Sequence, residues 1–466
     1  MKPLLARTLI LLAVFGLVAA PPLSSGNAAL RRAVQAYQSA DYSTAAVEYE
    51  RAARLLPWRA DLWEWAGLSA SLGGESGRAL AFLETAHDRD AVSTPQGWDF
   101  LGLARWETGD FAGAQSAWNE GSQAYPDYTL FLYRLALAAR LQGDRAAEQD
   151  ALTRWLSLEE HAPSHYRLGL LLISSDTGRA LSELMAAARL DPAFDPAIQT
   201  LRTTLNLASL ETDESRRLVV LARGLGLVNE WELAVDLLER AVQSDPRNAE
   251  AWAWLGEARD QLGEDGLAEL ERARDLDPQS AVIHSLLGLH WKRVGEPRKA
   301  LIEFDIAAQL DPENPAMLAA LGEAYAAYGD LPLALAAYQQ AANLDPDDPV
   351  YWRLLSAFCV QYNMLVQEVG LPAAFIALDL DPKNALSYDT LGQAHFAVGL
   401  ANVAELNFID ALRLDPDLAS AHLHLAMVYL QRSEWEAARE HLVRARDLDD
   451  GEIGQFAAQL LAQYFP

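Results

Sequence analysis

The chain has 466 residues, of which 51% are hydrophobic and 22% charged, and this supply of apolar side chains excludes a disordered protein. Its formal net charge of −28 would repel a phosphate backbone, so we expect no nucleic-acid partner and no adsorption to an anionic lipid surface. The single cysteine, Cys359, excludes an internal disulfide, a CxxC redox pair and a cysteine-based structural zinc site.

The first 28 residues have the composition of a targeting segment. Lys2 and Arg7 form a basic start, residues 8–20 are without exception apolar or small, and small or polar residues follow. This order is typical of a secretory signal, and the apolar run is shorter than the roughly 20 residues of a membrane span. The pattern predicts that residues 1–28 are a signal peptide cut after Ala28, or an N-terminal membrane anchor, with a buried cytosolic helix as the remaining alternative.

We therefore expect an exported protein, periplasmic or extracellular, or one that is tethered to the membrane through its N-terminus and faces outward.

An Asp-Pro dipeptide recurs along the second half of the chain at nearly constant spacing. Its prolines are Pro246, Pro278, Pro312, Pro346, Pro382 and Pro416. The same residue types recur before each proline, and in the segment from Pro315 they are Leu318, Leu321, Gly322, Tyr325, Gly329, Ala334, Tyr338 and Ala341. Self-similarity at a fixed period is the signature of a repeat architecture.

Each recurring position has a mechanical reason. The Leu-Gly pair and the aromatic residue three positions later share one face of a first helix, and the glycine lets a neighbouring helix approach closely. The next glycine ends this helix, the Ala-aromatic-Ala series forms the packing face of a second helix, and Asp-Pro stops it. The pattern resembles the tetratricopeptide repeat family, whose units of about 34 residues are pairs of antiparallel helices.

The resemblance implies an all-α, right-handed superhelical solenoid of about twelve helix-turn-helix repeats with a C-terminal capping helix. The chain then divides into repeats 1–5 at 29–192, an irregular helical insert at 193–214, repeats 6–12 at 215–450 and the capping helix at 451–466. The unit at 349–384 is two residues longer than the usual repeat, and it carries Ser356 and Cys359 where glycine and an aromatic residue are expected. Drift and function both remain open as reasons for this unit and for the insert.

The sequence carries no pattern typical of a catalytic or cofactor-binding site. Phosphate-binding loops, HExxH and an EF-hand loop are missing, and repeats fill almost the whole chain. His422 and His424 are two residues apart on a helix and face different directions, and Cys359 fits a buried, inert thiol. We therefore expect no enzyme, no cofactor and no bound metal.

The resemblance also implies where a partner binds. In this family, the second, fifth, ninth, twelfth and thirteenth positions of each unit line a concave groove. Candidate partner-binding residues at these positions are Glu257, Asp260, Leu289, Ala316, Ala319, Glu323, Ala326, Arg353, Asp389, Gln393 and Phe396. The lysine and asparagine with which family members clamp a terminal carboxylate are missing from the fifth and ninth positions, which disfavours that mode of binding.

A gap in the positive charges suggests the chemistry of the partner. No Lys or Arg occurs between Lys299 and Arg353, whereas nine acidic residues do, and such a segment attracts cations. Glu323 beside groove alanines would suit a basic amphipathic segment. The alternative is that the acids only solvate the surface and keep the protein soluble.

The expected function is a non-catalytic interaction scaffold or adaptor that binds a protein or peptide in this groove. Gln455, Gln459 and Gln463 recur every four residues in the last helix and form a polar stripe, which favours a monomer outside its complex. The alternatives are an accessory subunit of an envelope glycan-handling or secretion enzyme complex, and a self-assembling structural protein.

Overall fold

The computed structural model describes residues 23–465, and every regular element in this range is helical. By their contacts, the residues form two compact units with a boundary between Asn206 and Leu207. The predicted targeting segment lies mostly outside the described range. Its residues 23–28 belong to the first helix, where Gly26 packs against Leu56. No helix within residues 23–465 has both the length and the hydropathy needed to cross a bilayer.

The first unit contains five helix pairs and an additional helix. Their bounds are α1 23–38, α2 Tyr42–Leu55, α3 Asp61–Leu72, α4 Ser76–His87, α5 Pro95–Glu107, α6 Phe111–Ala124, α7 Leu130–Leu141, α8 Arg145–Leu156, α9 Ala162–Leu172 and α10 Thr177–Leu190. A short 3₁₀ turn, Pro192–Phe194, then leads into α11, Asp195–Ala208, which crosses the boundary between the units.

The second unit contains seven helix pairs and a last helix that follows them. The pairs are α12 Glu214–Leu227, α13 Trp231–Ser244, α14 Ala249–Gln261, α15 Leu267–Leu276, α16 Ala281–Arg293, α17 Pro297–Leu310, α18 Pro315–Tyr328, α19 Leu331–Leu344, α20 Pro349–Gln361, α21 Leu371–Leu380, α22 Ala385–Ala397, α23 Ala401–Leu414, α24 Ala419–Gln431 and α25 Trp435–Leu448; α26 is Glu452–Tyr464. The predicted all-α fold of repeated helix pairs is confirmed, whereas the exact limits assigned to the domains stay a prediction.

Within a pair, the two helices meet where a glycine of the first helix faces a large side chain of the second. A Cβ atom added to Gly102 would lie 2.1 Å from Nε1 of Trp118, and one added to Gly392 would lie 2.4 Å from the Phe408 ring. The same contact recurs between Gly67 and Leu83, Gly169 and Leu184, Gly256 and Leu270, Gly288 and Phe304, and Gly322 and Tyr338. The glycine of the repeat is therefore required for close approach of the helices.

The unit formed by α20 and α21 departs from this rule. Ser356 stands at the glycine position and is fully buried, and its hydroxyl has no hydrogen-bond partner among the described residues. The two extra residues are accommodated between the helices, where Leu365 adopts a left-handed φ of 47° and a π-helical turn, Val366–Gly370, follows. Burial raises the pKa of the Cys359 thiol to about 11, so this thiol is a packing group in its protonated form.

A buried carboxylate joins two successive pairs in the first unit. Glu64 on α3 is fully buried and accepts hydrogen bonds from the backbone N–H groups of Ser93 at 3.0 Å and Thr94 at 2.9 Å, and from both of their hydroxyls. Thr94 caps the N-terminus of α5, where a negative charge is favourable. Gly97 leaves room for this carboxylate, because a Cβ there would lie 2.1 Å from Glu64 Oε1.

The glycine contact can be tested with two matched Gly→Ala substitutions inside helices. We expect Gly392→Ala to lower the free energy of unfolding by about 1–3 kcal/mol, because the new methyl group overlaps the fully buried Phe408. Gly77→Ala in α4, which has nothing within 4 Å of the added Cβ, should raise it by about 0.5 kcal/mol through helix propensity alone.

Urea unfolding measures both effects, and hydrogen exchange locates them. The Gly392→Ala loss of protection should concentrate in α22, α23 and their neighbours, because a solenoid is coupled mainly between adjacent repeats. Equal signs for the two substitutions would contradict the steric account of the glycine position.

Candidate functional site

The candidate residues of the second unit lie on one side of a row of first helices. In this unit α18 contacts α20, α20 contacts α22, α22 contacts α24, and α24 contacts the last helix α26. We call the side that carries the fifth, ninth, twelfth and thirteenth repeat positions the first-helix face. Because equivalent positions recur in each pair, their side chains follow one another along this face.

Ala319, Glu323 and Ala326 come together in a pocket of about 470 Å³, which we call the central pocket. It lies between α18 and α20, and its other lining residues are Ala320, Ala327, Tyr338, Leu354, Ala357, Phe358, Gln361 and Tyr362. Burial, and then the charge of Glu323, raises the pKa of the Tyr338 hydroxyl. The floor is therefore apolar and aromatic, with a neutral phenol beside a carboxylate.

Gln393 and Phe396 lie in a second pocket of about 740 Å³, which we call the terminal pocket. Its other lining residues are Val360, Gln361, Ala397, Phe408, Leu423, His424, Met427, Glu452, Ile453 and Phe456. The last three belong to α26, so the capping helix forms one wall of the pocket. Its volume falls within the range of about 300–1,000 Å³ that is usual for ligand sites.

Glu257 and Asp260 are drawn into the protein instead of being presented to a partner. Their side chains are 5% and 4% exposed, and Arg293 of the next first helix forms an ion pair with both. Asp260 also faces Nδ1 of His290 at 2.8 Å and accepts from the N–H of Gly266 at 2.9 Å. These two carboxylates fasten α14 to α16, which leaves little of either for a ligand.

Glu323 has a counter-charge that lies outside the stretch without Lys or Arg, so the sequence pattern did not indicate it. Its Oε1 lies 2.6 Å from Nζ of Lys292, with both side chains about half exposed. Glu303, another acid of the gap, faces Nδ1 of His284 at 2.6 Å. The interpretation of nine acids without counter-charges is therefore corrected, because Lys292 and Arg274, each from the preceding helix pair, form ion pairs with Glu323 and Glu303.

The remaining candidates occupy varied places. Leu289 is half-buried and packs against the core cluster to which Leu270 and Ile283 belong. Ala316 is exposed at the start of α18, where its N–H donates to Oδ1 of Asn314. Arg353 is half-buried and donates to the Ser387 hydroxyl at 3.4 Å. None of these three lines either pocket of the first-helix face.

Asp389 is buried and organises the base of the terminal pocket. Its carboxylate accepts from the Ser420 hydroxyl at 2.9 Å and from Nε2 of Gln393 at 3.2 Å, and its Oδ1 lies 2.8 Å from Nδ1 of His424. The serine donates to the aspartate and not to the histidine, so these residues lack the nucleophile-to-base hydrogen bond of a catalytic triad.

The residues His424, Glu452 and Phe456 were not among the sequence candidates. His424 occupies a position next to the expected lining positions, and α26 lies outside the repeat frame. In the sequence, Glu452 and Phe456 near the start of the capping helix were the signals that could have indicated that α26 forms a wall of the terminal pocket.

Two clusters have donor atoms close enough to be considered for a metal ion, Glu84 with His87 and Asp88, and Asp260 with Asp265 and His290. In the first, His87 is paired with Glu120 at 3.2 Å; in the second, Arg293 lies 3.1 Å from Asp260. His422 and His424 diverge, since His422 contacts Nδ1 of His441 at 2.8 Å while His424 contacts Asp389. We assign a metal to none of these groups.

Sequence models of the tetratricopeptide repeat match residues 101–165, 221–281, 293–358 and 390–453, which together are more than half of the chain. The chain belongs to the tetratricopeptide repeat family. The matches include α18, α24 and the C-terminal half of α22, which carry much of the first-helix face of this tetratricopeptide repeat protein.

Solved structures with similar helix arrangements include yeast Tom70, at 15% identity and a TM-score of 0.43, over 88% of this chain and 96% of that one. A tetratricopeptide repeat protein from Parabacteroides merdae ATCC 43184 matches at 15% identity and a TM-score of 0.44, over 54% of this chain and 99% of that one. No curated protein matches the chain. Similarities this distant say nothing about the partner.

Two adjacent residues of α16 allow a matched test of buried against exposed ion pairs. Arg293 pairs with the buried carboxylates, and Lys292 pairs with the exposed Glu323. We expect Arg293→Ala to lower the free energy of unfolding by about 3 kcal/mol, since it leaves the buried Glu257 and Asp260 without their cation. Lys292→Ala, which removes the exposed pair with Glu323, should cost at most about 1 kcal/mol.

Chemical denaturation of the two variants provides the measurement, and helix propensity cancels because both are long-chain-to-alanine changes in one helix turn. Similar losses in both variants would contradict the assignment of Glu257 and Asp260 to the interior.

Proposed function

We propose that this tetratricopeptide repeat protein is a non-catalytic scaffold or adaptor that binds a partner polypeptide along the first-helix face of its second unit. The observation that carries the proposal is the pair of pockets on this face, which share Gln361 and extend from α18 to α26. Their lining residues come from helices that follow one another along the unit, which suits an elongated ligand that contacts several repeats.

The composition of the face suits the apolar side of a peptide. Apolar side chains, aliphatic and aromatic, make up most of both linings, and within these linings, all of which lie in the described part of the chain, no Lys or Arg occurs. The net charge of −28 adds a long-range preference for a positively charged partner. A basic amphipathic segment combines these properties.

The C-terminal cap supports a monomer outside the complex. Gln455, Gln459 and Gln463 are exposed on α26, and a polar outer face is what a terminal repeat needs in order to end a stack.

We also propose export of the protein or an outward-facing membrane tether, on the strength of the basic, apolar and small-residue order of residues 1–28. A cut after Ala28 would shorten α1 by the residues 23–28 and remove the contact of Gly26 with Leu56. Ala29 and Ala33, both fully buried, would remain to hold the helix in place.

Photo-crosslinking in the native cell tests the binding face. A photoreactive residue at Ala327 or Ala397, which are exposed on the first-helix face, should give a discrete adduct with a partner protein. The same residue at the exposed Gln340 of the second helix α19 is the control and should give none. Adducts from Gln340 alone would overturn the proposed face.

The partner found in this way can be used to measure affinity. We expect Ala319→Trp, which fills the central pocket, to weaken binding of a peptide that spans both pockets by about tenfold or more, since one lost anchor costs more than about 1.4 kcal/mol. Asp347→Lys, in the turn before α20, should leave the affinity within about twofold at physiological salt. A larger effect of the turn variant would indicate that the acids outside the face bind the partner.

Sequencing the N-terminus of the protein from fractionated cells tests its location. A chain that begins near residue 29 outside the cytosol is the result expected for a cleaved signal, and an intact Met1 in the membrane fraction indicates the tether. Intact Met1 in the cytosolic fraction would contradict both.

A further inference from the structure

The terminal pocket differs from the rest of the first-helix face because it has a wall on the side of the capping helix. Ile453 and Phe456 of α26 face a cleft whose other apolar lining includes Phe396, Leu423 and Met427. A cleft with aromatic and thioether walls accepts a bulky side chain and adapts to its shape. The central pocket lacks a wall of this kind and is the smaller of the two.

His424 places a ring nitrogen, Nε2, in this mostly apolar lining, where it can accept a hydrogen bond. Asp389, which is 2% exposed, already accepts from Ser420 and Gln393, so it acts as a carboxylate and Nδ1 of His424 carries the proton in the bond between them. In this tautomer Nε2 offers a lone pair. It has no partner among the described residues, and the His424 ring lies in the lining of the pocket, stacked on Phe408.

The rim of the pocket carries a carboxylate without a counter-charge. Glu452 is exposed at the start of α26 and has no ion pair among the described residues, in contrast to Glu323 of the central pocket with its Lys292. No Lys or Arg occurs among the lining residues, which all belong to the described range. A cationic ligand can therefore reach Glu452 without displacing an existing partner.

We propose that the terminal pocket is the anchor site of the partner, and that it takes a tryptophan or tyrosine side chain flanked by Lys or Arg. The aromatic ring fills the space between Phe396, Met427 and Phe456, its N–H or O–H donates to Nε2 of His424, and the basic neighbour pairs with Glu452. This inference rests on the proposed function and names the ligand chemistry of one part of the same face.

The same groups select against other ligands. A terminal carboxylate would meet Glu452 without any arginine or lysine in the lining to bind it. An aliphatic side chain would leave Nε2 of His424 unpaired in the filled pocket, and a buried polar atom without a partner is costly. Phenylalanine has the same defect, so the hydrogen bond distinguishes among aromatic residues.

The first test is selection of displayed random dodecapeptides on the full chain. The expected consensus has a tryptophan or tyrosine next to Lys or Arg. An acidic consensus, a requirement for a free C-terminus, or no enrichment on the folded protein would overturn the inference.

A synthetic consensus peptide then locates the site. Ala397→Trp, which fills the terminal pocket, should weaken its binding about tenfold or more. Ala327→Trp is the matched control, since it is the same substitution at the equivalent thirteenth position beside the central pocket, and it should change the affinity less than about twofold. The reverse pattern would overturn the anchor pocket while leaving peptide binding on the first-helix face intact.

A double-mutant cycle tests the hydrogen bond itself. Replacing the peptide tryptophan by 1-methyltryptophan should weaken binding to the parent protein about fivefold to tenfold, and His424→Phe should remove most of that difference. A purely structural role of His424 would lower the affinity of both peptides equally and would overturn the assignment of Nε2. Circular dichroism of His424→Phe checks that the variant is folded, and His424→Gln, which retains an acceptor, should restore part of the preference.

The carboxylate is tested through salt. Glu452→Gln should weaken binding severalfold at low ionic strength and have little effect at high ionic strength, because an exposed pair is screened. A failure of these variants, together with crosslinks that still map to the first-helix face, would remove this inference alone. Crosslinks confined to the second helices would remove the proposed function as well.

Discussion

The close contact between a small residue of the first helix and a large residue of the second determines how each helix pair is built. Where the small residue is glycine, its partner includes tryptophan, phenylalanine and tyrosine, as in Gly102 with Trp118. Where it is alanine, the residue sixteen positions later is often leucine, as with Ala136 and Leu152, or Ala426 and Leu442, all buried. Leucine also faces Gly67, Gly169 and Gly256, so the small residue is the constant feature of the contact while its large partner varies.

This constraint also places the candidate site. Because the pairs are similar, the same repeat position receives similar surroundings in each, and the ninth positions Glu323, Ala357 and Gln393 all line the first-helix face. Shape is thus specified by the repeat, whereas chemistry is free to differ from one position to the next. The chemistry of the first-helix face then depends on a few side chains that the repeat does not specify.

The fold could be predicted from the sequence because its signals are local. A glycine, an aromatic residue and Asp-Pro at fixed spacing lie within one unit, and the structure has helices where they indicate. The electrostatics of the site could not be predicted in this way. Arg293 reaches Glu257 from 36 residues away and Lys292 reaches Glu323 from 31, so a count of charges along the chain misses both pairs.

These long-range pairs share one feature, which is that they join residues about one repeat apart. Glu257 with Arg293 and Asp389 with His424 do so in the second unit, and Asp99 with Arg134 does so in the first. Apolar surfaces between helices would tolerate small shifts, whereas a buried carboxylate needs its partner in place. We infer that these groups fix the register of neighbouring pairs, and that their burial leaves fewer free carboxylates on the first-helix face. Glu452, which has no ion pair among the residues that the structure describes, takes no part in holding the repeats together, and in our proposal it pairs with the basic residue of the partner.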